Sequence, residues 1–327
     1  MKIGIIGFGG SGRNHFEIMK DIKGIEIKGA FDIDENAKKE IKARNLKVYN
    51  SLEEILDDKE IDTVLISSIT SLHSKQSIQA LKAGKNVIVE KPMAENFEEA
   101  EQMVEIAKEK KLLLTVYHNR RFDPDVEAAT KIIERGIIGR VLFIRNMIFS
   151  DEPTKESGWR KLKKFGGGVL LDWGPHLIDQ VLSLVKEKVE SVLGDVRYIP
   201  LIDEEQDADN HFLIFIKFRN NTMAEIGFSR VSFISFPKLY IEGEKGTIQT
   251  EDWKTGKMKL RYLDVEIKEE IIEGINRTDY WKKAGKIFYK NFIEAFNKKA
   301  ELLIKPEEAL EVMRIIGSVQ KIYQNKL

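Results

Sequence analysis

The segment FGGGVLLDWGPHLIDQ, Phe165 to Gln180, sets an aspartate and a histidine four positions apart in apolar company. Burying such a pair costs several kcal/mol unless its members are well partnered. Gly174-Pro175 predicts a helix starting at Pro175, a residue suited to a first helical turn, with Asp172 just before it and His176 at its entrance. A helix N-terminus disfavours an imidazolium, so His176 suits a neutral general base. Asp172 could orient that imidazole or bind a substrate hydroxyl. Gly166 to Gly168 would let backbone run close beneath a cofactor or substrate. The competing reading is an N-capping aspartate beside a buried, satisfied histidine.

Two further stretches carry chemistry. GFGGSG, Gly7 to Gly12, fits G-x-G-x-x-G between an apolar run and a helical pattern. Gly7 permits the tight turn, Gly9 lets backbone approach a pyrophosphate, and Gly12 lets helix and strand pack closely. The helix N-terminus then presents its partial positive charge to phosphates. Asp32 ends the second apolar run, where a carboxylate accepts from adenosine ribose hydroxyls and repels a 2′-phosphate. The expected cofactor is therefore NAD, with NADP the alternative. A glycine turn without nucleotide and a strand-end cap are the plainer readings. VEKPM, Val89 to Met93, would put Lys91 over the nicotinamide with Pro92 fixing the backbone, or else is a surface Glu–Lys pair before a turn.

These residues must be positioned by the elements around them. The first third alternates apolar runs (2–7, 25–31, 63–68, 86–90, 112–117) with amphipathic stretches (11–21, 34–44, 73–83, 96–110). Continuous apolar strands in a βαβ rhythm predict a parallel sheet covered on both faces. The grammar changes near residue 119. A helix is expected over about 124–135 and a strand near 141–149, then the glycine loop and the helix of His176. Long strands follow: HFLIFIKF, TMAEIGFSRVSF, KLYIEG, GTIQTE and KLRYLDVEI, before helices near 281–299 and 306–324. The expected fold class is α/β: a doubly wound parallel sheet over 1–119, then an α+β domain over 120–327 with a mostly antiparallel sheet. In HFLIFIKF both faces are apolar, Phe212, Ile214, Ile216 and Phe218 against Leu213 and Phe215, so a second subunit is expected to cover one of them. The expected assembly is a homodimer or homotetramer; a sheet covered within its own chain is the alternative.

The 327 residues suffice for two domains, and 53 basic residues balance 53 acidic ones. With no basic excess, nucleic acid is not an expected partner. No cysteine is present, which excludes disulfides and thiolate metal sites. No apolar run is long enough to span a bilayer, so no membrane partner is expected. MKIGIIGFGG reads as a buried strand entering a glycine loop rather than a signal peptide, and a cytoplasmic location is expected.

GFGGSG, VEKPM and GGGVLLDWGPHLID, in this order and spacing, resemble the Gfo/Idh/MocA family of glucose–fructose oxidoreductase and inositol dehydrogenase-like proteins. HNRRFDP (118–124) resembles the family segment crossing between domains. The resemblance covers essentially the whole chain. It implies a Rossmann domain followed by an open-faced domain, with NAD or NADP between them, acting on a secondary alcohol or ketone of a sugar, cyclitol or related polyol. Carried over, Lys91, Asp172 and His176 form the catalytic set: His176 takes the alcohol proton as hydride leaves, and Lys91 holds the reacting oxygen. Gly7, Phe8, Gly9, Gly10, Ser11, Gly12, Asp32, Ser68, His73, Glu90, Lys91 and Asn119 are the implied cofactor residues, Glu90 near the nicotinamide ribose. Lys91, Arg121, Trp159, Arg160, Asp172 and His176 are the implied substrate residues. SSITSLH, 67–73, departs from the family pattern, with Ile69 where a proline is common. No metal is expected, because nicotinamide chemistry needs none.

Two other functions compete with a dehydrogenase. One is a redox-neutral lyase or glycoside-cleaving reaction on tightly held NAD. The other is a non-catalytic NAD-binding regulator, against which the intact Lys91, Asp172 and His176 argue. His15, His118 and His211 are weaker candidates, His15 reading as structural.

Overall fold

In a computed structural model of the chain, which describes residues 1–200, 205–274 and 280–324, the early apolar runs form strands. The order is β1 (Lys2–Ile6), α1 (Gly10–Met19), β2 (Glu26–Phe31), α2 (Glu35–Ala43), β3 (Lys47–Tyr49), α3 (Leu52–Asp57), β4 (Thr63–Ile66), α4 (Thr70–Lys82), β5 (Asn86–Val89), α5 (Phe97–Lys110) and β6 (Leu114–Val116). They make one six-stranded parallel sheet ordered β3-β2-β1-β4-β5-β6. This is the doubly wound order in which a crevice opens beyond the carboxyl ends of the strands where the order reverses. Nearly every residue of β1, β4 and β5 is buried, as strands covered on both faces require. Gly12 shows how tightly α1 lies on that sheet: a Cβ there would stand 2.2 Å from the Gly7 carbonyl oxygen.

The short β3 and α3 lie between two expected elements. A three-residue strand carries little periodicity, but Ser51-x-x-Glu54 is a helix-start signature, and Ser51 Oγ accepts from the Glu54 N–H at 3.1 Å.

The chain divides into two compact units, Met1–His118 with Lys282–Met313, and Asn119–Trp281 with Arg314–Leu327. The stretch Lys282–Met313, expected from sequence in the second domain, thus joins the first unit.

The second unit opens on a 3-10 turn (Asn119–Phe122), followed by α6 (Pro124–Glu134) and β7 (Val141–Phe149). Then come α7 (Val169–Asp172), α8 (Gly174–Val185), β8 (Val189–Arg197), β9 (His211–Phe218), β10 (Met223–Ser229), β11 (Leu239–Gly243), β12 (Gly246–Asp252), β13 (Lys257–Leu263) and β14 (Ile267–Ile272). The eight-stranded sheet is ordered β14-β13-β12-β11-β7-β10-β9-β8, and every pairing is antiparallel except β7 with β10. KLRYLDVEI, expected as one strand, contains a reversal at Asp264–Glu266 that divides it between β13 and β14. The strand expected over 222–233 ends at Ser229. The helices near the end of the chain are α9 (Tyr280–Phe296) and α10 (Pro306–Gln324).

Register decides which sheet face is buried. Phe212, Ile214, Ile216 and Phe218 of β9 stand beside Phe228, Ile226 and Ala224 of β10 on a face closed within the unit. On the opposite face Leu193, Phe215 and Met223 are 65%, 37% and 40% exposed. Among the described residues no helix is long and apolar enough to cross a membrane.

Candidate active site

In the first unit the glycine loop leaves β1 and enters α1. Gly9 precedes the helix without a side-chain cap, and Gly9 and Gly10 are exposed with open space where a Cβ would stand. Uncapped backbone N–H groups at Gly10, Ser11 and Gly12, carrying the helix's partial positive charge, make a cradle for an anion. A dinucleotide pyrophosphate fits that cradle. The loop is braced from beneath: Phe8 is buried and its N–H donates to Asp32 Oδ2 at 2.6 Å, while Asp32 Oδ1 accepts from the Asp34 N–H at 2.9 Å. Each carboxylate oxygen retains a second lone pair for a ribose hydroxyl.

Ser68 and His73 are engaged in holding the neighbouring turns. Ser68 Oγ donates to Gln76 Oε1 at 2.7 Å. His73 is buried, with Nδ1 2.7 Å from the Pro92 carbonyl and Nε2 3.2 Å from that of Ser68. Burial pushes its imidazolium form down. A neutral ring donates to one of these two carbonyls, and His73 sits between the loop after β4 and the Lys91–Pro92 turn, whose peptide is cis.

Glu90 turns toward the unit's interior. Its Oε1 lies 2.9 Å from His15 Nε2, and its Oε2 accepts from the Lys91 N–H at 3.1 Å. Burial pushes the carboxyl up, but His15, Lys91 and His73 outweigh it and hold Glu90 below the usual carboxylate range. His15 Nδ1 is in turn 2.6 Å from the Tyr289 hydroxyl. His15 reads as structural from sequence; in the fold it is the middle of a buried chain ending on the backbone of Lys91. Its partner Tyr289 is 274 positions away, and no local pattern could announce it.

In the second unit, Asp172 is the last residue of α7 and His176 lies in the first turn of α8. Pro175 stands at the helix start as its fixed φ favours. The helix entrance carries both groups, with Arg160 Nε donating to Asp172 Oδ1 at 3.3 Å. The Arg160 guanidinium lies 4.5 Å from the centre of the Trp159 ring, so this adjacent pair forms one cation–π unit beside Asp172.

The turn between Asp172 and His176 is set by stacking. Trp173 lies on Phe228 at 5.0 Å and 17°, and its ring is 6.1 Å from that of His176. Arg120 covers Trp173 at 4.7 Å, and Arg230 covers Phe228 at 5.5 Å. Neither arginine stands out in the sequence. Arg121, an implied substrate residue, donates to the buried Asp179 through Nε at 3.1 Å and Nη2 at 2.5 Å. That fork ties the turn beginning at Asn119 to α8.

Two of the three glycines have an internal reason. A Cβ on Gly168 would stand 2.0 Å from Asp209 Oδ1, and one on Gly167 2.3 Å from the Arg160 carbonyl oxygen. Asp209 closes over α7: its Oδ2 accepts from the Leu170 N–H at 2.7 Å and its carbonyl from the Val169 N–H at 3.0 Å. Burial pushes its carboxyl up to about 6. The close approach expected beneath a cofactor is therefore made, at Gly167 and Gly168, by this unit's own chain. Among the described residues no group of three or more His, Asp or Glu is arranged to hold a metal ion.

Comparison with known proteins identifies the family. Residues 1–118 match the family model described as an oxidoreductase family with NAD-binding Rossmann fold, and residues 126–249 match the GFO/IDH/MocA C-terminal domain. An uncharacterised oxidoreductase of Schizosaccharomyces pombe is 39% identical over 163 residues, 49% of this chain and 44% of that protein. The match thus spans less than half of that relative. A myo-inositol 2-dehydrogenase of Thermotoga maritima is 30% identical over 255 residues, 76% of this chain and 74% of that protein. The crystal structure of an NAD-binding protein from Listeria innocua superposes with a TM-score of 0.87 at 28% identity, over 99% of this chain and 95% of that one. An NAD-binding Rossmann unit joined to an open-sheet α+β unit, matched in both parts, makes this chain a member of the Gfo/Idh/MocA family of oxidoreductases.

Proposed function

We propose that the chain is an NAD-dependent oxidoreductase interconverting a secondary alcohol and a ketone on a cyclitol, sugar or related polyol. The observation that carries this reading is the Asp172–His176 pair at the entrance of α8, with Arg160 on Asp172. A cofactor-binding module alone has no need of an acid–base pair at a helix entrance. The substrate class is supported by the likeness to a protein named as a myo-inositol dehydrogenase.

The exposed N–H groups of α1 would hold the pyrophosphate, and Asp32 the adenosine ribose. The nicotinamide supplies the hydride acceptor or donor when bound. His176 takes or returns the proton of the substrate hydroxyl, and Asp172 orients it or holds a neighbouring hydroxyl. Lys91 donates to the reacting oxygen and stabilises developing alkoxide charge. Arg160 and Trp159 present a charged and an apolar surface to the substrate, Arg121 fixes the turn beside α8 through Asp179, and Asn119 at that turn would contact the cofactor. NAD rather than NADP, a homodimer or homotetramer built on the exposed sheet face, and a cytoplasmic setting belong to the same reading.

The test is a panel of cyclitols, sugars and hydroxy acids, myo-inositol first, scored by NADH absorbance at several pH values. Growth of absorbance with a polyol supports the reading. No reduction of NAD by any polyol, with NAD bound, would sink the substrate class.

A further inference from the structure

The Glu90–Lys91 motif rests on a buried chain of three side chains from three distant parts of the sequence: Glu90 after β5, His15 on α1 and Tyr289 on α9. All three belong to the first unit. His15 and Tyr289 are fully buried, and the edge of Tyr117 closes on His15 at 4.3 Å with Phe288 behind it at 4.9 Å. In such buried surroundings an unmade hydrogen bond is costly.

For a neutral His15 ring the directions of the two hydrogen bonds follow from the geometry. A neutral imidazole has one N–H and one lone pair, and an ionised carboxylate only accepts. Glu90 is held in its ionised form by its surroundings, so the ring nitrogen facing it, Nε2, must carry the hydrogen. Nδ1 is then the acceptor, and the Tyr289 hydroxyl donates to it. The opposite direction would require a charged ring or a protonated Glu90. Glu90 uses its second oxygen to hold the Lys91 N–H.

We propose that His15 and Tyr289 are positioning residues: Tyr289 fixes the ring of His15 as its Nε2–H tautomer, and that N–H orients Glu90 so that the carboxylate fixes the backbone from which Lys91 projects. The assignment rests on the oxidoreductase reading for its effect on cofactor and rate, but the tautomer itself does not. A chain that served only to stabilise the fold would be as well built from apolar residues of the same shape. Here the polar atoms converge on the backbone of the residue that the function needs placed.

The groups around Glu90 set the sign of the pH effect. These are His15 on α1, His73 on α4, its neighbour Lys91, Tyr117 after β6 and Tyr289 on α9. Removing the His15 N–H leaves burial less opposed, so Glu90 takes up a proton at a higher pH than before. The motif is then released on its acid side earlier as pH falls.

Two measurements on the full-length protein decide the matter. The first is the nitrogen-15 spectrum of histidine-labelled protein without substrate. A His15 signal of the Nε2–H tautomer that shifts on Tyr289→Phe supports the relay; an Nδ1–H tautomer overturns it. The second is NAD affinity by calorimetry between mildly acidic and neutral pH, with thermal melting as the check on folding. His15→Leu is expected to weaken NAD binding by roughly tenfold and to move the acid limb of that affinity to higher pH. His15→Gln, which keeps an N–H, is expected to restore the limb. Binding within about twofold of the native protein at every pH, in folded His15→Leu, overturns the positioning role. Should His15→Leu not fold, Tyr289→Phe removes one oxygen and carries both measurements. A native protein that binds no NAD refutes the cofactor reading instead, while the tautomer still decides the relay.

Discussion

The backbone N–H of Phe8 donates to Asp32 Oδ2 at 2.6 Å, so the residue expected to read the adenosine ribose also braces the loop expected to cradle the pyrophosphate. In the proposed site, one carboxylate would thereby couple the two halves of a bound dinucleotide. The native protein is expected to prefer NAD over NADP by at least about tenfold, roughly 1.4 kcal/mol. Asp32→Ala should weaken NAD and narrow the preference, because loop brace and 2′-phosphate repulsion are lost together. Calorimetric titration with both nucleotides measures this, and equal or tighter NADP binding by the native protein refutes the role of Asp32.

The side chains of His176 and Lys91 are expected to act on rate: each alanine variant should still bind NAD, since Lys91→Ala leaves in place the backbone N–H that Glu90 holds. His176→Ala should lower hydride transfer by about two to four orders of magnitude, the usual worth of a positioned acid–base group. Lys91→Ala should lower it at least as far, since charge stabilisation at the reacting oxygen is lost. Single-turnover kinetics with a substrate found in the polyol panel gives both numbers. Near-native hydride transfer in folded His176→Ala would remove the base assignment. In the same trace, NADH that accumulates with product marks a dehydrogenase, and transient reduction that reverts marks redox-neutral chemistry.

Asp209 should leave a signature in stability. Its carboxyl is raised from 3.8 to about 6 by burial, so the folded state binds this proton more tightly than the unfolded one. That contribution is complete below the unfolded value and is lost as pH rises through about 6. Asp209→Asn keeps an acceptor for the Leu170 N–H and cannot ionise. Its stability relative to the native protein should therefore climb across this window, by up to about 1.4 kcal/mol per pH unit. Urea denaturation at a series of pH values reads the difference. A difference that stays flat would show that Asp209 is ionised throughout.

The exposed sheet face should set the oligomeric state. Leu193, Phe215 and Met223 lie on it, beside Arg145, whose Nε donates to Glu225 at 2.6 Å. Light scattering at micromolar protein is expected to show a dimer or tetramer, and Phe215→Lys to shift it toward monomer, since a buried unpaired charge is costly. A clean monomer in the native protein would mean that this face is left to solvent.

Much of this protein is written locally. Continuous apolar runs announce β1, β4 and β5, because strands buried on both faces admit few polar residues. Gly7 to Gly12 and Pro175 mark turns and a helix start by backbone preference alone, and α10 begins at Pro306 for the same reason. Asp172 and His176 stand out because ionisable groups are costly in apolar company. What tertiary structure decided is every relation between distant residues. The reversal within KLRYLDVEI depends on β13 pairing with β14, and β3 is too short to signal itself. Gly167 and Gly168 look like room for a ligand until the Arg160 carbonyl and Asp209 close on them. His15 looks inert until Tyr289 and Glu90 arrive at its two nitrogens, because a hydrogen bond is a property of positions in space and periodicity records only which face a residue takes.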